Sequence, residues 1–156
     1  MADGAMTPGQ FWQAQGMRAM GAAIVTAAGP EGPAGFLALS VAHFSADPPV
    51  MTVAVSPSTS ALAAIRSSGA FAINWLAGDA AEVLARFTGK DAPKGADRFA
   101  GLALGAFASG TPILPGIAGA MDCRIEDEVE RFGTVLLFGR LMDVAPSSGV
   151  GALIYF

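Results

Sequence analysis

Apolar and polar positions alternate most clearly in residues 35–60, GFLALSVAHFSADPPVMTVAVSPSTS. Leu37, Leu39 and Val41 fall on one side and Ala38, Ser40 and Ala42 on the other, which is the period of a strand. Asp47-Pro48-Pro49 stops that strand, because proline cannot donate to a sheet ladder and fixes its own φ. Residues 50–55 then form a second short strand rich in β-branched side chains. Ser58, Thr59 and Ser60 place hydroxyls and main-chain amides where a helix begins at Ala61. Ser58 or Ser60 serves there as an N-cap. The same free amides make an anion site, so the stretch also reads as one wall of a pocket for a phosphate-bearing cofactor.

The rest of the chain extends this pattern. Thr7-Pro8 starts a helix, with Phe11, Ala14, Met17 or Arg18, and Gly21 at helical spacing and Trp12 beside them as packing. Residues 22–28 are a strand, and Gly29-Pro30-Glu31-Gly32-Pro33 turns it into a hairpin with the strand after it. Residues 60–68 form a short helix with Ala61, Leu62 and Ile65 inward, ended by Gly69. Residues 71–76 are a buried strand. Residues 79–87 carry a helix signature: Asp79 as cap, Glu82 three positions on, and one face of Ala80, Val83, Leu84 and Phe87. Residues 88–101 are a polar loop with Lys90, Lys94 and Arg98, either a solvated surface loop or a lid that brings positive charge to a phosphate.

Residues 102–107 and 111–114 are short pieces broken by glycine and proline. Met121, Cys123, Ile125 and Val129 then alternate with Asp122, Arg124, Glu126, Glu128 and Glu130, the signature of an antiparallel strand with one wet face. On that face Asp122 and Glu126 read as solvated rather than as a paired acid and base, and Asp127 marks a bend. Residues 134–144 are the hairpin partner, and residues 152–156 a last short strand. About seven strands with two or three helices predict a mostly β fold with peripheral helices, an antiparallel barrel rather than a doubly wound parallel sheet.

Composition narrows the function classes. A chain of 156 residues is expected to form one domain, residues 1–156. It is 53% hydrophobic and only 14% charged, with mean hydropathy +0.50. So few charges predict an apolar face buried against a second subunit, and hence a homodimer. The net charge of -4 and pI near 4.7 argue against nucleic acid and anionic membrane as partners. One cysteine and one histidine exclude an internal disulfide and a His/Cys metal cluster, so no metal is expected. Cys123 faces inward as inert core. The N-terminal segment has no secretory pattern and no apolar run reaches membrane-spanning length, which makes the cytoplasm the default compartment.

No glycine-rich dinucleotide fingerprint, phosphate loop or nucleophile elbow is present. No side chain stands out as catalytic. A chain so poor in catalytic groups is an enzyme only if a cofactor carries the reaction.

The order LALSVAHFSADPPV, SPSTSALAAIRSSGAFAINWL, LARFTG, DRFAG and GTPILPG resembles the flavin reductase-like family, from about Met17 to the C-terminus. The resemblance implies an FMN-binding antiparallel split β-barrel acting as an NAD(P)H:flavin oxidoreductase. It implies FMN, or FAD, as the flavin and NADH or NADPH as co-substrate, with a flavin-dependent monooxygenase as a possible recipient of reduced flavin. Leu37, Ala38, Leu39 and Ser40 would lie along the flavin, and Ser45 and Ala46 would offer main-chain groups to the isoalloxazine edge. Ser58 and Ser60 match hydroxyls near the phosphate and ribityl chain, and Arg86-Phe87 a basic-aromatic pair near the phosphate. Thr134 stands where many members carry a histidine near the nicotinamide. His43 is either a structural histidine or a group on that same side. The alternative implied by the same fold is a non-catalytic flavin-binding or storage protein.

Overall fold

The computed structural model describes residues 4–146 and 149–155. Seven strands build the main sheet: β1 (Ala23–Gly29), β2 (Gly32–Ala38), β3 (Ala42–Ala46), β4 (Pro49–Val55), β5 (Ala70–Leu76), β6 (Ile117–Arg131) and β7 (Thr134–Ala145). Their order across the sheet is β2-β1-β5-β6-β7-β4-β3, and every neighbouring pair is antiparallel. Three helices accompany them: α1 (Pro8–Gln15), α2 (Ser60–Ser68) and α3 (Ala81–Ala85). Among the described residues no helix is long and apolar enough to cross a membrane.

The two edges of the sheet are β2 and β3, which are consecutive in the chain. No ladder joins them, so the barrel is split rather than closed. The expected single strand through residues 37–42 is likewise interrupted: β2 ends at Ala38 and β3 starts at Ala42. Ser40 lies in this break. Its hydroxyl accepts from the Ala54 amide at 3.1 Å and donates to the Ala54 carbonyl at 3.2 Å. One side chain thus takes the place of a main-chain rung and stitches the end of β2 to β4. The turn before β4 holds Asp47 and Pro48, while Pro49 opens the strand itself. A first strand position tolerates proline because it needs no ladder donor there.

The chain packs apolar side chains on both faces of β1. Val25 and Ala27 join Val53, Phe71, Ile73, Leu137 and the α2 residues Leu62 and Ile65 in one core. Ile24 faces the other way and joins Leu76, Ala80, Phe87, Phe99 and Leu114 in a second. This double burial explains why β1 and β5 are nearly continuous apolar runs rather than alternating ones. The polar groups inside them are satisfied. Asn74 donates to the Ile24 carbonyl at 3.2 Å and to Thr26 Oγ1 at 3.0 Å, and accepts from the Leu114 amide at 2.9 Å.

The helix termini are partly as expected. Thr7 and Gln10 make a reciprocal capping box at the start of α1, and Gly69, at φ 72°, ends α2 in the left-handed conformation glycine favours. The expected cap at Asp79 is not formed. Ala80 occupies the N-cap position of α3, no side chain caps it, and the helix is five residues long. Ala80 is buried and lies close against Gly116. The last strand is shorter than expected: Ile154–Tyr155 pairs with Met20–Gly21. Phe156, which the expected strand included, lies outside the described residues.

Candidate functional site

A cleft of about 490 Å³ opens where the C-terminal end of β2 meets the start of α2. That volume lies in the range of small-molecule sites, roughly 300–1,000 Å³. Its floor is Phe36, Leu37, Ala38, Leu39 and Ser40, where β2 leaves the sheet. One wall is Ala54, Ser56 and Thr59, the segment running from β4 into α2. Thr134, first residue of β7, stands beside it, because the ladder sets Val135 opposite Val55. The far wall comes from the N-terminal segment: Phe11, Trp12, Gln15, Arg18 and Met20.

The start of α2 gives the cleft polar character. Thr59, not Ser58 or Ser60, holds the N-cap position, and no side chain caps the helix. The Leu62 amide turns back to the Thr59 carbonyl at 3.0 Å. The amides of Ser60 and Ala61 have no protein acceptor among the described residues. Thr59, which lines the cleft, is thus followed by two main-chain donors and the positive end of a nine-residue helix.

Of the residues singled out in the sequence, Leu37, Ala38, Leu39, Ser40 and Thr134 come together here. Ser58 is adjacent, its hydroxyl 2.8 Å from that of Ser56. Ser60 opens α2 but borders a different groove, against the β1–β2 hairpin and Ala96. Ser45 and Ala46 are not at the cleft. They pair with Val50 and Pro49 in the β3–β4 ladder, and Ser45 borders a depression with Phe44 and Phe138. His43 pairs with Met51 in that ladder and is exposed, away from the cleft lining.

Arg86 and Phe87 also lie elsewhere. Because α3 is short, Arg86 sits at its C-cap. Its guanidinium donates to the carbonyls of Ala100 at 2.7 Å and Arg98 at 3.3 Å. Phe87 is buried edge-on to Phe99, with ring centroids 5.5 Å apart. Arg98 lies over the Phe87 ring at 5.6 Å and donates to the carbonyls of Pro93 and Gly35. The polar loop is thus fastened to the barrel by two arginines, which is the surface-loop reading rather than the lid. Only Lys90 and Lys94 of its expected cations stay exposed without such ties.

Asp122 corrects a further expectation. It is 4% exposed rather than solvated, and one carboxylate oxygen accepts from Thr111 at 2.7 Å and Ser109 at 2.9 Å. Glu126 is paired with Arg140 at 2.9 Å. Cys123, as expected, is core: burial first, and the neighbouring Asp122 charge second, push its thiol up to about 12. The cleft residues missed from sequence are those of the far wall, together with Phe36, Ala54 and Ser56. Thr7-Pro8 located α1, but its turn-by-turn pattern did not reveal that its aromatic side chains border a cleft instead of a core.

A family model, the flavin reductase like domain, matches residues 17–156. The FMN reductase (NADH) RutF of Ancylobacter novellus is 37% identical over 142 residues, 90% of this chain and 77% of that protein. HsaB of Rhodococcus jostii, the reductase subunit of a flavin-dependent monooxygenase, is 30% identical over 90% of this chain and 70% of its own. The crystal structure of a candidate oxidoreductase from Sinorhizobium meliloti 1021 superposes with TM-score 0.85 at 30% identity, covering 97% of this chain and 51% of that one. With the split antiparallel barrel and the cleft at its seam, these findings place the chain in the flavin reductase like family.

Proposed function

We propose that this chain is an NADH-dependent flavin reductase whose cleft takes FMN, with FAD as the larger alternative and NADPH as the alternative donor. One observation carries the reading: a mostly apolar floor meets a wall that leads through Thr59 into a helix N-terminus with unused amides, the pairing a ring system with a phosphate tail requires. Leu37, Ala38 and Leu39 provide the apolar surface for the ring. Ser56, Thr59 and the amides of Ser60 and Ala61 take the phosphate, with Ser58 orienting Ser56. Flavin, when bound, supplies the hydride acceptor.

The chain supplies binding and orientation. Among the described residues Arg18 is the one charged side chain lining the cleft. Ser40 spends its proton on Ala54 and holds the seam in shape, leaving its oxygen an acceptor only. Thr134 faces the nicotinamide side.

The named activities of the RutF and HsaB relatives support NADH as donor and a flavin-dependent monooxygenase as the consumer of reduced flavin. Residues 1–156 act as one domain. The exposed Phe44, Met142 and Val144, with mean hydropathy +0.50, support a homodimer, and the setting is the cytoplasm.

The test is direct. Purified protein titrated with FMN should quench flavin emission at micromolar concentration and then oxidise NADH in a flavin-dependent manner. Binding without turnover would instead establish a flavin-storage protein. No binding at all would overturn both readings.

A further inference from the structure

Helix α1 buries none of its residues. It nevertheless carries two aromatic rings, Phe11 and Trp12, that line the cleft while 47% and 59% exposed. The rings meet edge to face at 5.3 Å, which fixes them relative to one another without any core to hold them. One turn on, Arg18 donates from Nε to Gln15 at 2.8 Å, leaving the other guanidinium hydrogens for the cleft. A helix held by its capping box, with aromatics facing an open cleft and one oriented cation, lacks the signature of packing and has that of a binding wall.

Two separate anion-binding groups therefore border the cleft, the start of α2 beyond Thr59 and Arg18. A flavin mononucleotide has one phosphate. Resting on the flavin reductase reading, we infer that α1 binds the adenosine diphosphate half of the nicotinamide dinucleotide: Arg18 contacts the pyrophosphate and Trp12 stacks on the adenine. The nicotinamide must touch a ring lying on the β2 floor. The distal half of the dinucleotide then lies at the cleft mouth, where α1 stands. A base stacked on an aromatic side chain, or a pyrophosphate on arginine, each accounts for about tenfold in affinity.

The experiment measures NADH oxidation at saturating FMN for the wild type and for Arg18→Ala, Trp12→Ala and Trp12→Phe. Adenosine diphosphate is the probe, both as inhibitor and by quenching of tryptophan emission. Arg18→Ala and Trp12→Ala should each raise KM for NADH about tenfold and weaken competitive inhibition by the probe, while FMN affinity stays within about twofold and Trp12→Phe restores most of the loss. Unchanged KM in both alanine variants of a protein that turns over overturns the inference and leaves the reductase reading intact. If the wild type fails to oxidise NADH, the reductase reading falls. Quenching by the probe that disappears in Trp12→Phe would still uphold the α1 site. Quenching that persists there reports Trp75, and that result, or no quenching, overturns it.

Discussion

Gly139 tests the packing at the heart of the barrel. It lies on β7 where the register against β6 shifts, so that it faces Ile125 directly after Phe138 faces Asp127. A Cβ placed there would stand 2.5 Å from Phe71 Cζ and 2.8 Å from Cys123 Cβ. Unstrained carbon pairs sit about 3.5–4.0 Å apart. The Cys123 atom is fixed by its own backbone, and both residues are fully buried. The backbone of Gly139 is not among the positive-φ glycines, so alanine is excluded by neighbours alone and not by its own dihedrals.

That makes the sign of Gly139→Ala diagnostic. Without the clash, alanine in a strand interior is favoured over glycine by roughly 0.5–1 kcal/mol. Overpacking of this kind costs about 1–3 kcal/mol. The variant should therefore unfold in urea at a lower midpoint with unchanged slope, and its Tm should fall by about 2–8 °C for a chain of this size. Phe71→Leu removes the atoms closest to the new methyl. The double variant should lose less than the sum of the two single losses by more than about 0.5 kcal/mol. A Gly139→Ala protein as stable as the wild type, or more so, would refute the packing described for this seam.

Two further predictions follow from buried polar groups. Asn74→Ala removes the side-chain acceptor of the Leu114 amide and should cost about 1–3 kcal/mol, with faster hydrogen exchange at Leu114; unchanged exchange there would contradict the network. The Cys123 thiol, pushed by burial up to about 12 from its ordinary 9.0, should resist alkylation in the native protein at pH 8 and react once urea unfolds it. Because its folded value is the higher one, it leaves stability untouched below pH 9 and erodes it as pH rises from 9 towards 12. Cys123→Ala should flatten that decline, and rapid labelling of native protein would show that the thiol is not buried.

The chain's local signals were legible because they are satisfied locally. Thr7 finds Gln10 three residues away, Gly69 needs only its own φ, and the 121–144 hairpin needs only alternation. What was not legible depends on partners far along the chain. Asp122 looks wet by alternation, yet Ser109 and Thr111 reach it from a loop before its strand. Arg86 sits in a family-like motif, but a five-residue helix aims it at the Arg98 and Ala100 carbonyls. Asp79 has the right spacing for a cap, yet α3 begins one residue later, with Ala80 buried beside Gly116 at its N-cap.

Ser40 and Trp12 show the same rule from opposite sides. A serine beside a cleft reads as a ligand, but both hydrogen-bonding directions of its hydroxyl are engaged by one residue, Ala54, fourteen positions away. That hydroxyl links the end of β2 to β4 at the seam where no ladder joins β2 and β3. An aromatic residue on a short helix reads as packing, but packing requires an apolar surface opposite, and none of α1 is buried. Residue type sets what a side chain is able to do. Whether its hydrogen bonds and its apolar area are already spent inside the fold decides what it has left for a ligand, and that balance is fixed only by the tertiary contacts.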